Sequence, residues 1–175
     1  MTRKEVFNRL CELTKEAPAG LRALKSQQHR AWRAIDSERN YQNSKWYGSD
    51  SARPDANERT IREFALYVHG YVNDLVQVAS HFGETSKKLE IVRKIAALCV
   101  ACFEQHGMDE VSRVSIDSLP DTLDEMVLAL AEDSQTLLIF GVDCAVHNLL
   151  QVIAKIGALS IEALSRYGAP LRKYS

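Results

Sequence analysis

Seven side chains, Ile61, Phe64, Val68, Tyr71, Leu75, Val78 and Phe82, recur at alternating steps of three and four. A strand would show a period of two, and a loop none. The spacing therefore predicts a helix with one apolar stripe, and such a stripe has to be buried against neighbours.

The flanking sequence supplies those neighbours. Arg3 to Glu16 carries Val6, Leu10 and Leu13 at helical spacing, and Ala17-Pro18-Ala19-Gly20 breaks it. A second helix is expected from Leu21 to about Lys45, followed by a polar loop from Trp46 to Asn57. Gly83-Glu84-Thr85 should end the striped helix, with Thr85 or Ser86 capping the next. That fourth helix, about Ser86 to His106, is apolar on two faces and is expected to be the central one, stopped by Gly107. A linker from Met108 to Leu119 leads to a fifth helix, opened by Pro120-Asp121 and running to about Ile139, with a break near Gly141. The sixth should run from about Asp143 to Tyr167 and end at Gly168-Ala169-Pro170.

With 4 Pro, 8 Gly and few β-branched runs, the chain reads as an all-α bundle of about six helices. Its 175 residues suit one compact domain. Within it, residues 1–57 form the N-terminal helices and a motif loop, 58–107 a first helical hairpin, 108–119 a linker, and 120–175 a second hairpin. An internal repeat links the hairpins at an offset of 61. Leu89, Lys94, Ile95, Ala97, Leu98 and Gly107 match Leu150, Lys155, Ile156, Ala158, Leu159 and Gly168.

A net charge of −1 argues against general nucleic-acid affinity but hides an asymmetry. Residues 1–62 hold 13 Lys/Arg against 8 Asp/Glu, and residues 63–175 hold 9 against 15. Val114 to Ala154 has no Lys or Arg. Such opposed halves favour intramolecular docking or head-to-tail assembly, unless they are simply solvated faces. The apolar run Ile95 to Phe103 is about half a membrane span, and Met1-Thr2-Arg3-Lys4-Glu5 opens without an apolar signal segment. Cys11, Cys99, Cys102 and Cys144 sit mostly in apolar helical patterns, which favours reduced thiols and core packing. No membrane contact and a cytoplasmic location are the resulting expectations.

The chemically rich segment is Ile35 to Trp46. Glu38, Gln42 and Lys45 share one helical face, and Arg39 and Trp46 share a second. Arg offers a planar fork for phosphate, and Tyr41 or Trp46 a stacking surface for a base. Nothing in a core requires this mixture, so the segment is expected to face a ligand, a partner or another subunit. Arg93, Lys94, Lys155 and Arg172 could add positive charge. The competing structural reading is an Arg39–acid ion pair with Trp46 sealing the core edge.

The same segment carries a resemblance. Glu38-Arg39-Asn40-Tyr41-Gln42-Asn43-Ser44-Lys45-Trp46, then Glu63-Phe64, then Arg93-Lys94-Ile95-Ala96-Ala97-Leu98 closing at His106-Gly107, resemble a family of phage-encoded all-α proteins of uncertain role. That group is more remotely similar to MazG-like nucleotide pyrophosphohydrolases, whose Glu-Glu-x-x-Glu cluster and Glu-x-x-Asp hold Mg²⁺. This chain has no Glu-Glu-x-x-Glu, and Arg93-Lys94 stands where the second acidic pair is expected. Glu63, Asp74, Glu125 and Glu132 are the weak metal candidates. The resemblance implies a non-catalytic, homo-oligomeric protein in the cytoplasm of an infected bacterium. It would bind a nucleotide or cyclic-nucleotide-like signal, and the phage setting extends this to sequestration of a host-defence second messenger. No cofactor is expected unless the alternative holds, a divergent Mg²⁺-dependent pyrophosphohydrolase. A third reading is an interaction module against a host target.

Overall fold

The computed structural model describes residues 1–15, 25–47, 59–111, 114–116, 118–143 and 145–172, with the backbone alone described at 25, 46, 47, 110 and 140–143. Among the described residues the fold is all-α: α1 (Arg3–Glu12), α2 (Lys25–Tyr47), α3 (Ile61–Ser80), α4 (Thr85–His106), α5 (Leu123–Asp143) and α6 (Val146–Tyr167), with a 3-10 turn at Asp109–Val111. The expected loop at 46–57 and the breaker at 17–20 lie outside these residues, apart from Trp46 and Tyr47, which extend α2.

Reciprocal caps set the starts of three helices. In α1, the Thr2 hydroxyl accepts from the Glu5 amide at 3.2 Å, and the Glu5 carboxylate accepts from the Thr2 amide at 2.7 Å. Thr60 and Glu63 repeat this at α3, and Thr122 and Glu125 at α5. Thr122, not Pro120-Asp121, therefore opens α5. Glu84 precedes α4 without a side-chain cap, so neither Thr85 nor Ser86 serves as one. Helix α1 stops earlier than expected because Leu13, Thr14 and Lys15 bond three residues back and tighten its last turn. Helix α5 runs through Gly141 without the expected break. A lone glycine costs a helix only about 1 kcal/mol, which tertiary packing overrides.

Helices α4 and α6 form the inner pair, meeting where Gly157 faces Cys99. A methyl group there would come within 3.0 Å of the Cys99 Cβ. Helices α3 and α5 pack on each other and on this pair, while α1 and α2 lie on α4 and α6. Helix α6 is long and apolar enough to cross a membrane by composition, but 78% of that stretch is buried inside the bundle. Its apolar surface is accounted for by core packing.

The two hairpins are alike. Helices α4 and α6 each span 22 residues and end at Gly107 and Gly168 with φ of 77° and 76° and ψ of 175° in both. That backbone region is essentially open to glycine alone. A glycine stop ends many helices, so these matches describe two similar hairpins without establishing common descent.

The α3 stripe is buried at Phe64, Val68 and Leu75, but its last member departs from expectation. Phe82 is 97% exposed at φ 54°. The helix ends at Ser80, and the Gly83 amide reaches back to the Val78 carbonyl at 2.9 Å, which places Phe82 at the left-handed position of a Schellman turn. An aromatic residue is strained there. Phe82→Gly is expected to raise unfolding stability by about 1 kcal/mol, read as a higher urea midpoint at unchanged slope. A lower midpoint would show that the ring holds the turn.

Cys99 and Cys102 are buried, as the core-packing reading expects, and Cys144 lies outside the described residues. Burial pushes the Cys11 and Cys102 thiols up to about 12. At pH 8 both should label with iodoacetamide roughly a thousandfold more slowly than a free thiol. Rapid native-state labelling at these two sites would contradict the burial. The unfolded chain ionises these thiols first. Stability they support is complete below their ordinary pKa and is lost as pH rises through about 9 towards 12.

Candidate functional site

Helix α2 turns its buried stripe from apolar to charged along its length. Ala31, Ala34 and Ile35 face the core, and one turn on the same side carries Glu38, Arg39 and Gln42, at 2%, 4% and 6% exposure. Charges are tolerated there because each meets a partner from another helix. Arg93 of α4 donates through Nε to Glu38 Oε2 at 3.0 Å, with both side chains 3% exposed. Its Nη1 donates to the Pro170 carbonyl. Arg39 pairs with Glu104 at 2.8 Å and donates to Gln42 Oε1 at 3.1 Å. Arg3 of α1 joins this network through Glu104 at 3.5 Å and also bonds Asp36 and Asn40 of α2.

The expectation that this whole segment faces a ligand is thus corrected. Arg39 is held in a structural ion pair, the competing reading, while the Trp46 side chain lies outside the described ones. Arg93 is likewise a buried structural partner behind the site.

The other motif residues do open onto a cleft. Among the described residues, helices α2 and α3 flank α4 without forming a packed pair of their own, leaving a cavity of about 320 Å³ between them. Lys94 and Leu98 of α4 form its floor. Glu38, Tyr41, Gln42 and Lys45 of α2 make one wall, and Tyr67 and Tyr71 of α3 make the other. Arg59, just before α3, and Arg172, on the C-terminal segment, complete the lining.

Both arginines are placed by backbone contacts. The Arg59 amide donates to Gln105 at 3.1 Å, and its carbonyl meets His106 at 2.7 Å, so the end of α4 fixes the entry to α3. The Arg172 amide donates to the Ser37 hydroxyl at 3.0 Å. Together with the Arg93–Pro170 bond, this straps the C-terminal segment across α2 and α4.

Each cation lies over a tyrosine ring: Arg172 over Tyr41 at 3.8 Å, Lys45 over Tyr41 at 6.0 Å, Arg59 over Tyr67 at 4.8 Å and Lys94 over Tyr71 at 5.7 Å. These contacts hold the charged groups in place. The Glu38 charge is met by Arg93, and Lys45, Lys94 and Arg172 give the cleft a positive lining in a protein of net charge −1, with Arg59 beside Tyr67 at its edge. The Arg172 Nε is buried without a hydrogen-bond partner. Burial raises the Tyr71 phenol, and the Glu38 carboxylate raises it further, so this ring stays neutral at ordinary pH. Cationic donors beside π faces can receive phosphate oxygens and a planar ring together.

Six of the sequence candidates therefore share the cleft: Glu38, Tyr41, Gln42, Lys45, Lys94 and Arg172. Lys155 does not join them; it pairs with Asp133 at 3.3 Å on the second hairpin. Sequence reasoning missed Arg59, Tyr67 and Tyr71. The four-residue step from Tyr67 to Tyr71 put both rings on one helical face, and Tyr71 was taken up by the apolar stripe.

The weak metal candidates do not converge. The Glu63 and Glu125 carboxylates accept backbone amides in the caps of α3 and α5. Asp74 is exposed on α3, and Glu132 lies at the second hairpin. Among the described residues no group of three or more His, Cys, Asp or Glu is placed to hold a metal. These donors do not fit the Mg²⁺ that the remoter resemblance implies.

No family model matches the chain, and no curated protein or solved structure matches it.

Proposed function

We propose that this protein binds a nucleotide or nucleotide-derived phosphate compound without transforming it. The observation that carries this reading is the cleft between α2, α3 and α4, which gathers four cationic side chains and three tyrosines. Anionic ligands gain from the charges, and a base gains from a tyrosine face, with stacking worth roughly 1–3 kcal/mol. The cavity of about 320 Å³ is near the lower bound for small-molecule sites, so it would enclose one nucleotide unit. A larger cyclic dinucleotide would be only partly covered.

The resemblance to phage-encoded helical proteins extends this to sequestration of a host-defence messenger by an oligomer in the bacterial cytoplasm. Exposed Leu66 and Leu128, equivalent positions on α3 and α5, support self-association within that reading. The hydrolytic alternative lacks a convergent carboxylate set to support it.

A thermal-shift screen over nucleoside mono-, di- and triphosphates and cyclic mono- and dinucleotides tests the proposal. A ligand at 100 times its Kd adds about 2.7 kcal/mol, which for a chain of this size raises Tm by roughly 5–10 °C. A flat response across the set would refute nucleotide binding, and Mg²⁺-dependent release of pyrophosphate would establish the alternative.

A further inference from the structure

Helix α5 has an outer stripe that contact with water alone does not explain. Met126, Val127, Leu130, Ser134 and Leu137 form its buried side, packed on α3 and α6. On the opposite side Leu128, Glu132, Gln135 and Ile139 recur at steps of four, three and four and are all exposed, with Leu138 beside them. Leu128 and Ile139 are 69% and 70% exposed. A helix that meets only water carries polar residues at such positions, so aliphatic side chains held there at helical spacing mark a contact surface.

The charge around this stripe has one sign. Val114 to Ala154 holds seven Asp or Glu and no Lys or Arg, and Asp121, Glu125 and Glu132 are exposed on and just before α5. Asp124 stays 78% exposed although Lys88 reaches it at 3.3 Å. A surface of the opposite sign lies on the same chain. Exposed Lys4 and Arg9 of α1, with Arg30 and Arg33 of α2, outnumber the exposed Glu5 and Glu12. Half-buried Trp32 lies under the Lys4 ammonium at 4.2 Å, edge-on to Phe7, and gives this face an aromatic centre. The two surfaces do not meet within one molecule. Helices α1 and α2 pack on α4 and α6, and among the described residues α5 forms no packed pair with either. The opposed charge therefore does not dock the two halves inside the chain.

We propose that the outer stripe of α5 docks on the α1–α2 face of a second copy of this chain. Leu128, Leu138 and Ile139 cover the partner's Trp32, and the α5 carboxylates meet the cations around it. Each face repels its own kind and attracts the other, so the contact runs head to tail, and such contacts close into rings or continue as filaments. This gives the oligomer of the preceding reading an interface. It holds whether or not the cleft between α2, α3 and α4 takes a nucleotide, because none of the docking residues lines that cleft.

The test is sedimentation velocity of the full chain without any nucleotide. At low salt and micromolar concentration the unmodified protein should sediment as species larger than a dimer, and high salt should shift it towards monomer. Leu128→Lys combined with Ile139→Lys removes the α5 face, and Lys4→Ala, Arg9→Ala and Arg33→Ala together remove the other. Each variant alone should be monomeric, with association weakened at least tenfold. Mixed in equal amounts they should form a heterodimer and nothing larger, because each keeps the one face that the other lacks. Should the lysine pair fail to fold, Glu132→Lys with Gln135→Lys at exposed positions carries the same test. An unmodified chain that stays monomeric at low salt, or a mixture that stays monomeric, would overturn the proposal. So would an α1–α2 variant that self-associates like the unmodified chain, since the α5 stripe would then pair with itself.

Discussion

Arg93→Ala is expected to destabilise the protein by about 3–5 kcal/mol, the range for removing one partner of a buried ion pair. Glu38 and Arg93 are each 3% exposed, and the Arg93 guanidinium also holds the Pro170 carbonyl. Its removal leaves the Glu38 charge buried without compensation and releases the C-terminal strap. At roughly 2–4 °C per kcal/mol for a chain of this length, Tm should fall by about 10 °C. Glu38→Leu combined with Arg93→Met should recover most of the loss, because apolar replacement of a whole pair is often near neutral. Denaturant melts of the three proteins decide the matter. A cost below about 1 kcal/mol for Arg93→Ala would mean that the pair is hydrated and structurally idle. The double variant should still bind ligand weakly, since Arg172 is no longer drawn into the cleft by Pro170.

Lys94→Glu is expected to weaken nucleotide binding by about a hundredfold or more, within the 2–5 kcal/mol seen when a desolvated charge partner is lost. Lys94 lies on the cleft floor, half-buried, beside Tyr71. Reversing its charge places a carboxylate where phosphate oxygens would sit. Arg172→Gln should cost about thirtyfold, because a buried donor is removed while the Tyr41 surface stays. Tyr67→Ala should cost about tenfold, in line with a lost stacking face. Lys87→Glu makes the same charge change at an exposed position on the first turn of α4 and should leave affinity within about twofold. Calorimetric titration with the nucleotide giving the largest thermal shift measures all four. Equal losses for Lys94→Glu and Lys87→Glu would mean that only overall charge matters and that the cleft is not the site.

Much of the fold was legible because local patterns have local causes. The three-four spacing from Ile61 to Leu75 determined α3, and Gly107 and Gly168 marked the ends of α4 and α6. The Thr-x-x-Glu boxes at Thr60 and Thr122 were also present in the sequence. They explain why Glu63 and Glu125 bind backbone amides instead of a cation. Phe82 fits the apolar period yet is exposed, since periodicity does not reveal where a Schellman turn ends the helix.

The site was half legible for a related reason. Helical spacing placed Glu38, Gln42 and Lys45 on one face. It carries no information about which residue approaches that face from elsewhere in the chain. Arg93 meets Glu38 across 55 residues, and Glu104 meets Arg39 across 65. Those long-range pairs turn part of an apparent ligand face into core. Arg59 belonged to no periodic segment, and its place in the cleft comes from backbone bonds to Gln105 and His106. An offset of 61 residues pairs Lys94 with Lys155, but spacing alone did not show that Lys94 enters the tyrosine-walled cleft while Lys155 pairs with Asp133.

If a nucleotide sits in the tyrosine-lined cleft, the tyrosines themselves can report it. Of the 6 tyrosines in the chain, Tyr41, Tyr67 and Tyr71 line the cleft, and Tyr167 lies at the end of α6. With ¹³C label on the tyrosine rings, addition of the best-shifting nucleotide should move the Tyr41, Tyr67 and Tyr71 signals together. Tyr167 should stay in place, and the movements should vanish in Lys94→Glu. Saturable binding that leaves those three rings unmoved would place the nucleotide outside this cleft.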